Sequence, residues 1–413
     1  MSDLKNPIHP RAAFFYRDFR FFVSARFLAL CAYQMLAVAV GQYVYEITKS
    51  PLYLGYIGLS LFLPKITFAL FAGHTADRFD RRRIIFFCRM TQFLVVVGII
   101  FFYHFNLHSL WPLYGLLFLM GTANVYDGSA SQAIVPQLVS TDHFGNAVAW
   151  SSSIMQIAFI VGPAIGGALY AVFGKAIWVF YVVALIRLAS AFLIYLMHTR
   201  VEKLEKAEIS WVSLLAGIRY VFKTRVILGA ISLDLFAVLL GGAVALMPVF
   251  ANDILKVGPM GLGILRAAPS VGAVMTAIVL AHLPPLKKSG TTMLFCVAIF
   301  GVATIFFGLS RSFIFSLFCL FILGSADMVS VVIRGILVQV RTPPAMRGRV
   351  SAVNLVFIGA SNELGEFESG LTASWFGVIP SVILGGVGTL LVVLIWRWRF
   401  PELWDRHFPR IDG

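Results

Sequence analysis

The sequence predicts an all-α membrane protein: twelve transmembrane helices arranged as two pseudo-symmetric halves of six. Three observations predict it. Only 13% of the 413 residues are charged and 59% are hydrophobic, against about 25% charged in a typical soluble domain. The apolar residues come in runs of spanning length, and the stretch from Thr91 to Thr141 holds Asp127 as its one charged residue. The second half also repeats the first at a fixed offset. Together these exclude a soluble enzyme, a disordered chain and a nucleic-acid-binding protein. The net charge of +14 is then read as basic cytoplasmic loops.

A spanning helix needs about 20 mostly apolar residues. Twelve such segments follow along the chain, at 19–46, 52–76, 84–104, 110–136, 144–173, 175–197, 226–251, 258–282, 290–309, 312–340, 349–375 and 378–399. The first begins near Phe19, too long for a signal segment, and is expected to stay as a membrane helix. The plan is a cytoplasmic amphipathic N-terminus (1–18), a six-helix half (19–197), a cytoplasmic linker (198–225), a second half (226–399) and a cytoplasmic tail (400–413). Residues 9–22 mix aromatics with arginines and suit the inner membrane surface. With both termini inside, 23 of the 33 Lys and Arg fall on cytoplasmic segments, while Lys49, Lys175, Lys256 and Arg311 fall outside. The expected location is a bacterial inner membrane, and the partners are the lipid bilayer, protons and a small-molecule substrate, with the chain a monomer.

The repeat sets 118–137 against 321–340 at an offset of 203, matching Gly121 with Gly324 and Asn124 with Asp327. The same offset carries 161–174 onto 364–377, matching Gly162 with Gly365 and Gly167 with Gly370. Parallel halves with a site between them are one transporter architecture.

The loop between spans two and three reads Gly73-His-Thr-Ala-Asp77-Arg78-Phe-Asp80-Arg81-Arg82-Arg83. It resembles the G-x-x-x-D-R-x-G-R-R loop of the major facilitator superfamily, with Asp80 where that family usually has glycine. Gly162-Pro163-Ala-Ile-Gly166-Gly167 in span five is similar to the signature of its proton-coupled exporters. Residues 324–354 and 357–370 look most like a bacterial subgroup that includes enterobactin-type siderophore exporters and is labelled secretion effectors. The resemblance covers the whole chain.

That resemblance implies an inner gate. Asp77 would face the start of span eleven, where a helix N-terminus favours a carboxylate, with Arg347 and Arg349 adding charge-assisted contacts. Arg81 would reach Asp127; Arg78 and Arg82 complete the basic loop. It also implies that spans one, four, seven and ten line a central cavity, which places Arg26, Asp127, Asp234, Asp327 and Arg334 there as substrate-binding or proton-binding groups. Charges inside spans are costly unless they face a partner or a cavity, and the alternative role for these is structural ion pairing. Arg187, early in span six, is read as snorkelling or pairing with a headgroup.

Span eleven holds Glu363, Glu366 and Glu368. Glu363 and Glu366, three apart, share a helix face, and such carboxylates cannot all be ionised cheaply. With Asp234 and Asp327 they are the candidates for proton coupling. Lys65 in span two lies at a depth that suits a Lys65–Glu363 pair joining the halves. No GxxxxGK[ST] loop is present, no metal-like spacing links the histidines or cysteines, and no cofactor is implied beyond protons. The expected function is proton-coupled export, by alternating access, of a small amphiphilic or anionic metabolite such as a siderophore or drug-like compound. A lysophospholipid flippase, a proton-driven importer, or a non-transporting sensor or assembly partner are the alternatives.

Overall fold

A computed structural model describes residues 10–105, 109–198, 211–282 and 289–403. The parts of the expected N-terminus, linker and tail at 1–9, 199–210 and 404–413 lie outside the described residues.

Within those limits the chain is helical throughout. The spans are Arg17–Thr48, Pro51–Arg78, Arg81–His104, Trp111–Leu138, Phe144–Phe173, Ala176–Tyr195, then Arg225–Leu240 with its continuation, Gly258–His282, Ser289–Leu309, Phe313–Arg341, Pro344–Phe376 and Val378–Arg399. Ten of these segments are long and apolar enough to cross a membrane. Spans four and eleven fall outside that ten. They have the length, at 28 and 33 residues, but carry Asn124 and Asp127, and Glu363, Glu366 and Glu368. Large apolar side chains such as Val172, Ile314 and Trp398 face outward, as lipid contact requires.

Span seven departs from the expected continuous helix. It stops at Leu240 and resumes as a 3-10 turn (Ala243–Leu246), a single α turn (Met247–Val249) and a π-helical turn (Phe250–Ile254). The cause is local and tertiary together. A Cβ on Gly242 would stand 2.8 Å from the Gly365 carbonyl oxygen, so only glycine lets span seven lie this close to span eleven. Pro248 then withholds one backbone donor. Non-helical backbone at this depth survives only where protein or a cavity covers it.

Contacts divide the chain into two units: Met1–Tyr43 with Ser60–Glu208, and Val44–Leu59 with Ile209–Gly413. In the first, spans three, four and six pack together over a core that includes Phe19, Phe22, Ile85 and Ile134. The N-terminal turn docks on span five: Ala13 N donates to Asn146 Oδ1 at 3.1 Å, Trp150 Nε1 donates to the Pro10 carbonyl at 2.9 Å, and Phe14 meets Trp150 edge-on. In the second unit, spans eight, nine and ten pack as a group and span seven packs on spans eleven and twelve, around Ile227, Leu233, Met293 and Leu337. The helix Trp211–Lys223 rests on span eleven, and Tyr220 Oη donates to the Arg341 carbonyl at 3.0 Å.

The repeat is visible in packing. Gly121 of span four lies against Leu61 and Pro64 of span two, and Gly324 of span ten lies against Pro269 of span eight. Gly162 of span five lies against Cys31 and Gln34 of span one, and Gly365 of span eleven lies against Val238 and Leu239 of span seven. Small residues at these crossings permit close backbone approach.

Candidate functional site

The first unit encloses a polar network that links spans one, three, four and six. Arg89 of span three is buried and donates through Nε to Asp127 Oδ1 at 3.1 Å. Its Nη1 donates to Ser190 Oγ at 2.9 Å and to the Ala25 carbonyl at 3.2 Å. One turn along span three, Gln92 donates to Asn124 Oδ1 at 2.9 Å and accepts from Arg187 Nη1 at 2.6 Å. Arg26 of span one is half-buried and interacts electrostatically with Asp127 and Arg89. Three guanidinium groups therefore surround one carboxylate.

Two expectations are corrected here. Arg81 does not reach Asp127. It donates to the carbonyls of Ala76 at 3.0 Å and Ala133 at 2.9 Å, and it stands 3.8 Å from Asp77. Arg81 opens span three, level with Ala133 of span four; Asp127 lies about 9 Å deeper at 1.5 Å per residue, and Arg89, two turns further along span three, occupies it. Arg187 does not snorkel. It is 1% exposed because span six packs against span three, which turns this position into the bundle. Its Nε and Nη2 have no hydrogen-bond partner among the described residues.

The second unit has the opposite balance. Arg334 of span ten, buried, forms an ion pair with Asp234 of span seven. Asp327, two turns from Arg334 and on the same face, makes no hydrogen bond or ion pair among the described residues. Asp234, Asp327 and Ser330 line a cavity of about 10 Å³ together with the apolar Val238, Val297 and Phe300. That volume is close to the lower limit for one water molecule.

The acids of span eleven meet the hairpin between spans one and two. A Cβ on Gly58 would stand 2.7 Å from both the Glu363 carbonyl oxygen and Glu366 Cβ. Gly55 lies against Phe367 and Gly370, and Tyr56 stacks on Phe367. Tyr45 Oη donates to Asp253, which stands in the π-helical turn of span seven. Ser369 Oγ donates weakly to Glu368 Oε2 at 3.5 Å.

In the loop after span two, Asp80 explains its departure from glycine: its carboxylate caps span three, accepting from Arg82 N at 2.9 Å and Arg83 N at 3.3 Å. Arg82 donates to the carbonyls of Ile194 and Tyr195 at the end of span six. Asp77 and Arg78 are exposed, and a Cβ on Gly73 would meet open space. Arg347 Nε donates to the Thr342 carbonyl at 3.2 Å, and Arg349 lies over Gly217. In span five, Gly162, Pro163, Gly166 and Gly167 are buried. A Cβ on Gly166 would stand 2.9 Å from Met35 Cα, which accounts for the small residues by packing on span one.

Sequence reasoning did not single out Arg89, Gln92 or Tyr45, and it placed Arg187 at the lipid rather than inside the bundle. Depth arithmetic could have found the first. Arg89 is eight residues into span three and Asp127 eleven from the end of span four, a mismatch of about 5 Å.

A family model described as transmembrane secretion effector matches residues 9–407. The enterobactin exporter EntS of Escherichia coli (strain K12) is 26% identical over 406 residues, covering 94% of this chain and 93% of that one. The enterobactin exporter of Shigella boydii serotype 18 is 26% identical over 411 residues, covering 93% of each. Among solved structures, a bacterial homologue of the human lysosomal transporter Spinster, inward-facing and unoccupied, superposes with a TM-score of 0.73 at 14% identity, covering 94% of this chain and 96% of that one. The nucleoside transporter NupG gives 0.72 at 13% identity, covering 93% and 99%. At such identities these two show a shared fold alone.

Proposed function

This chain belongs to the transmembrane secretion effector family, within the major facilitator superfamily, and from that membership we propose that it is a proton-coupled exporter of a small anionic or amphiphilic metabolite of the siderophore class. It is a multi-pass membrane transporter rather than an enzyme. The single observation that carries proton coupling is Asp327: a carboxylate inside a membrane span, beside a water-sized cavity, with no cation against it among the described residues. A buried carboxylate without a counter-charge is costly when ionised. Taking up a proton removes that cost, and losing it restores the drive to change state.

An anionic substrate is supported by the first unit, where Arg26, Arg89 and Arg187 outnumber Asp127. It is supported also by relatives that are enterobactin exporters. The halves 19–197 and 226–399 rock about the substrate, with Arg26, Asp127, Asp234, Asp327 and Arg334 as the polar lining. Asp77 with Arg347 and Arg349 forms the inner gate, and Lys65 with Glu363 ties the halves in one state. Glu363 and Glu366 join Asp234 and Asp327 as coupling acids. The protein works as a monomer in the bacterial inner membrane, both termini in the cytoplasm, without a cofactor.

Flux in proteoliposomes carrying an internal pH dye tests this, with enterobactin, common drugs and lysolipids supplied in turn under an imposed proton gradient. Proton movement that appears only with one compound supports coupled export. A lysolipid that redistributes between leaflets regardless of the gradient, with no compound moving protons, replaces the exporter reading with a flippase.

A further inference from the structure

In span six, the Arg187 guanidinium is only half used. The residue is 1% exposed, and its Nη1 donates to Gln92 of span three at 2.6 Å. Its Nε and Nη2 have no hydrogen-bond partner among the described residues. On an arginine these two N–H groups point the same way from one edge, and that edge takes an anion with two parallel hydrogen bonds. Such a guanidinium is costly inside a packed bundle, because its unpaired donors have lost water and gained no acceptor in exchange.

The neighbouring groups are already engaged. Asp127, the carboxylate of this network, accepts from Arg89 Nε at 3.1 Å. Gln92 is tied at both ends, accepting from Arg187 and donating to Asn124, and Ser190 Oγ donates to the Ala25 carbonyl at 2.8 Å. Among the described residues, the titratable groups that act on Arg187 are Arg89, Asp127 and Tyr33 of span one. Arg26 adds a third guanidinium to the cluster. Three positive charges against one negative leave an excess of two inside the membrane, where an uncompensated charge is expensive. A water molecule can accept from the fork but brings no charge, whereas an anion does both. Burial limits its size. Spans three and six pack on each other, so two parallel N–H groups closed off from solvent suit a single-atom anion and exclude a lipid phosphate or an organic carboxylate.

We propose that the Arg187 fork is a binding site for one chloride ion, held by Nε and Nη2, with Gln92 fixing the guanidinium through Nη1. Gln92 also reaches Asn124 of span four, so the ion completes a cluster that ties spans three, four and six together. The site goes beyond the proposed function and needs neither a proton nor a substrate. One chloride still leaves one positive charge in the cluster, and Arg26, half-buried in span one, is the guanidinium open to an anionic substrate.

The test uses the purified full-length protein in detergent without substrate. Thermal unfolding is followed in sodium chloride and in sodium gluconate of equal concentration, and crystals grown in sodium bromide are searched for anomalous scattering. Chloride should raise the wild-type midpoint by about 2 °C or more at saturation, and bromide should lie at hydrogen-bond distance from Arg187 Nε and Nη2. The rise should vanish in Arg187→Gln and shrink in Arg187→Lys, which keeps the charge but not the fork. Should neither variant fold, the bromide position in the wild type decides. Equal midpoints in chloride and gluconate, no bromide at the fork, or a chloride effect that both variants retain in full would each overturn the proposal. A chloride effect in a protein that moves no substrate in vesicles leaves the site standing and removes the export reading instead.

Discussion

The buried charge clusters of the two units are mirror images in sign. In the first, Arg26, Arg89 and Arg187 gather around Asp127, and Arg89 alone bonds to a carboxylate, a hydroxyl and a carbonyl. In the second, Asp234 and Asp327 line one cavity, and Arg334 pairs with Asp234. The repeat places Asn124 opposite Asp327, so one internal duplication has put an amide in one half where the other has an acid. Asn124 is bonded to Gln92 at 2.9 Å, whereas Asp327 lines a cavity of about 10 Å³. Positions matched by the repeat thus differ, one an amide inside a hydrogen-bond network, the other a carboxylate lining a small cavity.

Removing the central cation from each cluster should break the comparison most severely. Arg334→Ala leaves two carboxylates with no guanidinium and should cost about 3–5 kcal/mol at pH 8, the range for stripping one partner from a buried pair. That loss should shrink as pH falls, because a protonated carboxyl needs no counter-charge. Arg89→Ala should cost less, since Arg26 remains beside Asp127, and its loss should stay flat with pH. Thermal unfolding in detergent across pH 5 to 8 reads both; equal, pH-independent losses would dissolve the contrast between the units.

A smaller effect sharpens the comparison at the repeat-related glycines. A Cβ on Gly324 would overlap the Pro269 carbonyl, while a Cβ on Gly121 would meet the Pro64 ring at 3.0 Å and the Leu61 carbonyl oxygen at 3.2 Å, a milder crowding. Gly324→Ala should therefore destabilise by about 1–3 kcal/mol, typical of overpacking, and Gly121→Ala by less, as unfolding midpoints would show. The smallest effect concerns a feature of the first unit alone. Asp80→Ala removes the cap of span three and should cost about 1 kcal/mol, while Asp80→Gly should cost only a few tenths.

Much of the fold was legible because its causes are periodic and local. The apolar runs mark the spans, and one register pairs Gly121 with Gly324 and Gly162 with Gly365, which pack on equivalent neighbours. The break in span seven was not legible. Gly241-Gly242 reads as two small residues inside an apolar run, and its interruption depends on span eleven's Gly365 and Ser369 pressing against it. The sites were legible as a list of charges inside spans, but their pairing was not. Spacing within span three does not say whether Arg81 or Arg89 meets Asp127, since that depends on helix depth and rotation. Arg187 lies on a span apolar all round, with no face to indicate burial.

The central claim is that the arginine-rich unit serves the substrate and the acid-rich cavity serves the coupling ion. Proteoliposomes containing Asp327→Asn test it most directly, with labelled substrate followed in two modes: exchange at equal substrate and equal pH on both sides, and accumulation driven by a proton gradient. The account predicts that gradient-driven accumulation is lost while exchange is largely retained. Accumulation at the wild-type level, or exchange lost in step with accumulation, would contradict it.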